Sequence, residues 1–250
     1  MLNSTLSLSI LLTISILIFF GIVVVYTFSA SRKDKKRRFA VATNLGFKPV
    51  TESEYSDVLS HLASVNPRLG KSFMEMRNVF VKIIPEGSLY LYDLWNNGGE
   101  GSNLVQNQSI LLAIPGINLP RFMISSKANM AELPGVLANL ANRLIAWVFQ
   151  NSLIIIDFPE FPEFNQRYTV ATEDPVAMRK FLDSYVASRL SLPRDLLLAG
   201  GNDSLVCSSA SIQRHNSPED ADLSRRIDNA LSTMRIFIQN VERQSKIDEG

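Results

Sequence analysis

The chain has 250 residues, 46% hydrophobic and 20% charged, with a formal net charge of +1, a composition that fits an ordinary globular protein and excludes a disordered, collagenous or disulfide-rich one. Six of the 25 basic residues lie between Arg32 and Arg38 beside a single acid, which leaves the remainder with 19 basic against 23 acidic side chains. Such a remainder lacks the basic excess that phosphate neutralisation requires, so nucleic acid is not expected as a partner.

From Leu6 to Phe28 there are 23 residues without a charge, mostly Leu, Ile, Val and Phe. At a rise of 1.5 Å per residue this run spans a hydrocarbon core of ~30 Å. Tyr26 suits the interfacial aromatic belt. A cleaved signal peptide would want a basic start and a small residue at −3, whereas nothing before Arg32 carries a side-chain charge and the best cleavage position puts Phe28 there. The run is therefore expected to remain as an anchor. Arg32, Lys33, Lys35, Lys36, Arg37 and Arg38 follow it at once, which keeps the C-terminal side in the cytoplasm and offers contact with anionic headgroups of the bilayer.

Arg38 to Leu45 reads as a helix that stops at Gly46, with Pro49 soon after. Thr51-Glu52-Ser53-Glu54 is a capping box for a helix through Tyr55, Val58, Leu59 and Leu62 that ends before Asn66-Pro67. Met74, Met76, Val79, Val81 and Ile83, then Leu89 to Trp95, then Ile110 to Ile114 change to an extended pattern, an antiparallel meander punctuated by Asn96-Asn97-Gly98-Gly99. Pro120 to Ile124 adds a further strand. Ala128 to Phe149 reads as mainly helical with an interruption near Pro134-Gly135.

Leu153-Ile154-Ile155-Ile156 is a continuous apolar run, expected as a central buried strand with Arg167 to Ala171 as its neighbour. Asp174-Pro175 starts a helix expected to reach Leu190. Leu196 to Leu198 and Leu205 to Cys207 flank Gly200-Gly201-Asn202-Asp203 as a hairpin. A final helix after Ser217-Pro218 carries Leu223, Ile227, Leu231, Met234 and Ile238 on one side. Runs of strands followed by helices predict an α+β fold with a mostly antiparallel sheet. The expected domains are an anchor at 1–30, a basic juxtamembrane helix at 31–45 and one soluble α+β domain at 46–250.

The most distinctive segment is the doubled Phe-Pro-Glu unit from Asp157 to Phe164. Asp157, Glu160 and Glu163 are the candidate catalytic carboxylates, as acid and base or as hard-cation ligands. The plainer reading has Pro159 and Pro162 hold the segment extended, with Phe rings filling a groove and carboxylates in water. His61 and His215 have no partner at ligand spacing, Cys207 sits in an apolar run, and no Lys-Ser or Lys-Thr helix follows the Gly98 loop. No metal site and no cofactor are expected. Trp95 and Trp147 read as core residues.

Leu119-Pro120-Arg121-Phe122, Ile156-Asp157-Phe158 through Pro162-Glu163-Phe164, and Tyr168 together resemble a group of uncharacterised bacterial proteins. Those proteins pair an N-terminal membrane helix with a domain of unknown function. The resemblance spans Tyr90 to Leu182, implies a bacterial inner-membrane setting and transfers no activity. The leading expectation is a membrane-tethered, non-enzymatic interaction module on the cytoplasmic face that binds a protein partner or the membrane surface. The alternatives are a carboxylate-dependent hydrolase or transferase using Asp157, Glu160 or Glu163, and a structural subunit of a membrane complex.

Overall fold

A computed structural model describes residues 36, 39–66, 74–96, 105–127, 152–192, 196–209 and 220–248. The expected anchor at 6–28, the expected helix at 128–149, the Gly98 loop and the Ser217-Pro218 start lie outside them. Among the described residues no helix is long and apolar enough to cross a membrane. Contacts divide the chain into two units between Leu45 and Gly46. In the first, residues 39–44 are helical and the Leu45 amide donates to the Val41 carbonyl at 3.1 Å. Gly46, where that helix was expected to stop, takes a φ of 83°.

The second unit is α+β, built on one antiparallel sheet that has nine strands among the described residues: β1 Lys48–Pro49, β2 Met74–Ile84, β3 Gly87–Asn96, β4 Val105–Ala113, β5 Leu119–Ser126, β6 Ile154–Ile156, β7 Tyr168–Thr172, β8 Leu196–Asn202 and β9 Ser204–Ser209. Their order is β1-β2-β3-β4-β9-β8-β5-β7-β6. The expected meander holds for β2, β3 and β4 and then ends. The β8–β9 hairpin enters between β4 and β5, so three inter-strand steps, ~14 Å at the usual spacing, separate the two. Residues 114–118 reach about that far when extended. They cross the hairpin's turn, where the Ile114 amide donates to the Asp203 carbonyl at 2.7 Å.

The helices of this unit among the described residues are α1 Tyr55–Val65, α2 Pro162–Arg167, α3 Pro175–Phe181, α4 Ser184–Arg189 and α5 Asp220–Asp248. At the start of α1, Glu54 reaches back as a capping box requires, its carboxylate accepting from the Thr51 amide at 2.9 Å and hydroxyl at 2.8 Å. Those bonds hold the Glu54 carboxyl below its usual value. The Thr51 hydroxyl is thereby spent on Glu54, residues 52–54 form a turn, and the regular helix begins at Tyr55. The single helix expected from Asp174 to Leu190 is two. Asp174 caps the first through the Val176 and Ala177 amides, and Asp183 caps the second through Tyr185 and Val186.

Consecutive strand residues point to opposite faces, and β5 shows what covers each. Met123 belongs to a cluster with Val58, Leu62 and Val65 of α1. Its neighbour Phe122 stacks on Phe237 of α5 at 5.3 Å and lies 6.0 Å from Phe181 of α3, all three rings buried. The sheet is thus covered by α1 on one face and by α3 and α5 on the other. Full burial of such side chains contributes about 1.5–3 kcal/mol each. Gly200 and Gly201 repeat the alternation, since a Cβ at 200 would strike the Phe122 ring and one at 201 the backbone of Ser64 in α1.

The largest departure from expectation is β6. Ile154 and Ile155 are 54% and 53% exposed, and among the described residues the strand lies at the sheet's edge, not its centre, paired to β7 alone. The neighbour itself is as expected, with Ile155 opposite Ala171. A continuous apolar run signals a strand buried on both faces only when further strands flank it.

Candidate functional site

Asp157, Glu160 and Glu163 are brought onto one short stretch but not into a cleft. All three are exposed. The segment is not held extended, because the Phe161 amide donates to the Phe158 carbonyl at 2.9 Å, closing a turn, and Pro162 then opens α2 at its first position. Two of the three rings behave as the plainer reading expects, while Phe161 is only half-buried. Phe158 and Phe164 are buried edge-to-face at 5.8 Å, Phe164 lies 5.0 Å from Tyr168, and Arg179 sits over Phe158 at 5.6 Å. Among the described residues no three His, Cys, Asp or Glu side chains gather as a metal site would need. Lys36 is exposed; Arg32, Lys33, Lys35, Arg37 and Arg38 lie outside the described residues, as do His215 and Trp147.

His61 has partners that sequence spacing concealed. Its Nδ1 lies 3.2 Å from Asp203 Oδ1 in the turn between β8 and β9, and 3.3 Å from the Ser204 hydroxyl, which donates to the same carboxylate oxygen at 2.8 Å. One turn along α1, the Ser64 hydroxyl donates to the Gly201 carbonyl at 3.0 Å. Ser, His and Asp therefore meet, but not as a triad. A proton relay needs the serine on one ring nitrogen and the carboxylate on the other. Here both face Nδ1, and Ser204 is fully buried. The arrangement pins α1 to the hairpin across the glycine pair.

A second polar group lies under α5. Asp93 of β3 is 2% exposed and accepts from Asn78 Nδ2 at 2.7 Å. Asn78 occupies the bulge between Arg77 and Phe80 with a φ of 51°, a conformation Asn tolerates better than most residues. Gln108, opposite Asp93 on β4, accepts from Arg226 of α5 at 2.8 Å. The signal for Asp93 was its parity, because it shares a face with the buried Leu89 and Leu91.

Cys207 is buried among apolar neighbours, which pushes its thiol up to about 12 and makes it a poor nucleophile. At the far end of α5, Asn240 donates to the Phe181 carbonyl, Arg243 pairs with Asp183, and Arg189 and Arg243 both lie against the Tyr185 ring. These contacts fix the α3–α4 junction. No family model, no curated protein and no solved structure matches the chain.

Proposed function

We propose that the chain is a membrane-tethered interaction module of the bacterial inner membrane, its second unit on the cytoplasmic side and binding a protein partner. The observation that carries this reading is the uncharged run from Leu6 to Phe28 followed by six basic residues from Arg32 to Arg38, which by hydropathy and charge asymmetry is a span with its C-terminal side inward. The exposure of Asp157, Glu160 and Glu163 favours recognition over carboxylate catalysis, since an acid–base pair needs a concave site that perturbs it. Carbonate extraction of membranes tests the tether. The full chain is expected in the pellet and a chain lacking residues 1–30 in the supernatant; release of the full chain by carbonate overturns the reading.

A further inference from the structure

The sheet has two edges, and they are treated differently. At one, β1 consists of Lys48 and Pro49, a charge and a residue without an amide hydrogen, both of which discourage pairing by another strand. At the other, β6 offers Ile154, Ile155 and Ile156 with no charge and no proline, paired through one side only among the described residues, and two of the three side chains are more than half exposed. An edge of that kind is a template for an incoming strand. Exposed carboxylates follow it in sequence, Asp157 directly and then Glu160 and Glu163, with Arg179 placed over the Phe158 ring between them.

We infer that β6 is a docking edge for an extended segment of a protein partner, which adds as a tenth strand, lays aliphatic side chains against Ile154 and Ile155, and sets a lysine or arginine against Asp157. This deepens the proposed interaction role and rests on it. A second copy is the poorer occupant, because a stable dimer buries at least about 1,200 Å² and a strand of three residues contributes a small part of that. A weak docking edge suits a tethered protein, since a shared membrane raises the partner's effective concentration.

The test uses the full chain in mild detergent and a fluorescein-labelled peptide that alternates valine and threonine between terminal lysines, with the same peptide carrying a central proline as control. Saturable binding is expected for the first peptide and none for the second. Ile154→Lys and Ile155→Lys, both at exposed positions, are expected to weaken binding at least tenfold with the circular-dichroism melt unchanged, and Ile155→Thr serves if a lysine variant fails to fold. Absence of binding, equal binding of the proline peptide, or indifference to the substitutions overturns the inference. So does concentration-dependent dimerisation abolished by the same variants, which would make a second copy the occupant. Binding in detergent does not depend on membrane insertion, so failure here is distinct from failure of the tether in carbonate extraction.

Discussion

Replacing Gly201 by alanine tests how closely α1 is set on the sheet. An ideal Cβ at this position lies 2.5 Å from the Ser64 carbonyl oxygen, 3.1 Å from its carbon and 3.5 Å from the Val65 Cα. All three obstacles are backbone, so no rotamer change makes room. Restoring a separation of 3.0 Å requires the last turn of α1 to retreat by at least 0.5 Å, which lengthens the Ser64–Gly201 hydrogen bond and the His61–Asp203 contact. Overpacking costs about 1–3 kcal/mol and a weakened hydrogen bond about 1 more, so Gly201→Ala is expected to lose about 2–4 kcal/mol in total. Urea unfolding of the full chain in mild detergent, followed by circular dichroism, measures it as a lower midpoint at unchanged slope. Gly200→Ala meets side-chain atoms instead, the Phe122 ring and Leu205, so Gly200→Ala combined with Phe122→Leu is expected to recover part of its loss. No truncation of that kind can rescue Gly201→Ala. A Gly201→Ala protein within about 0.5 kcal/mol of wild type, the range of inert surface changes, would refute the packing described for α1.

Phe237→Ala removes a buried ring stacked on Phe122 and close to Phe181; a loss of about 3–5 kcal/mol is expected in the same unfolding assay. Asp183→Ala removes both the α4 cap and the Arg243 partner, and a loss of about 1–2 kcal/mol is expected from the cap, readable as faster amide exchange in residues 184–189. Burial raises the Cys207 thiol from 9.0 to about 12. The unfolded chain therefore gives up this proton first, and the thiol's contribution to stability is complete below pH 9 and declines as pH rises toward 12. At pH 8 a thiol reagent is expected to label Cys207 only after urea is added; rapid labelling of the folded protein would contradict its burial.

Much of the local structure was legible in the sequence, because it depends on neighbours a few residues away. The alternation from Met76 to Ile83 and from Leu89 to Trp95 identifies strands, Asp174-Pro175 marks a helix start, and Gly200 to Asp203 marks a hairpin. What was not legible is non-local. The run Leu153 to Ile156 looks the same at the edge of a sheet as at its centre, and only the strand order decides between them. The insertion of β8 and β9 between β4 and β5 depends on a link crossing a turn some ninety positions further along the chain, where Ile114 meets Asp203. The break between α3 and α4 was half visible, since Asp183 carries its own cap within an otherwise helical pattern. The meeting of His61 with Asp203, 142 positions apart, has no sequence signature at all. Asp93 does have one, an acid on the apolar parity of a strand.

Protease accessibility of the second unit, compared in intact spheroplasts and in inverted membrane vesicles, tests the central proposal most directly. Digestion in inverted vesicles alone is the predicted result, and it would place the β6 edge where cytoplasmic partners can reach it. Digestion in intact spheroplasts would contradict the orientation drawn from Arg32 to Arg38 and move the search for partners to the outer side of the membrane.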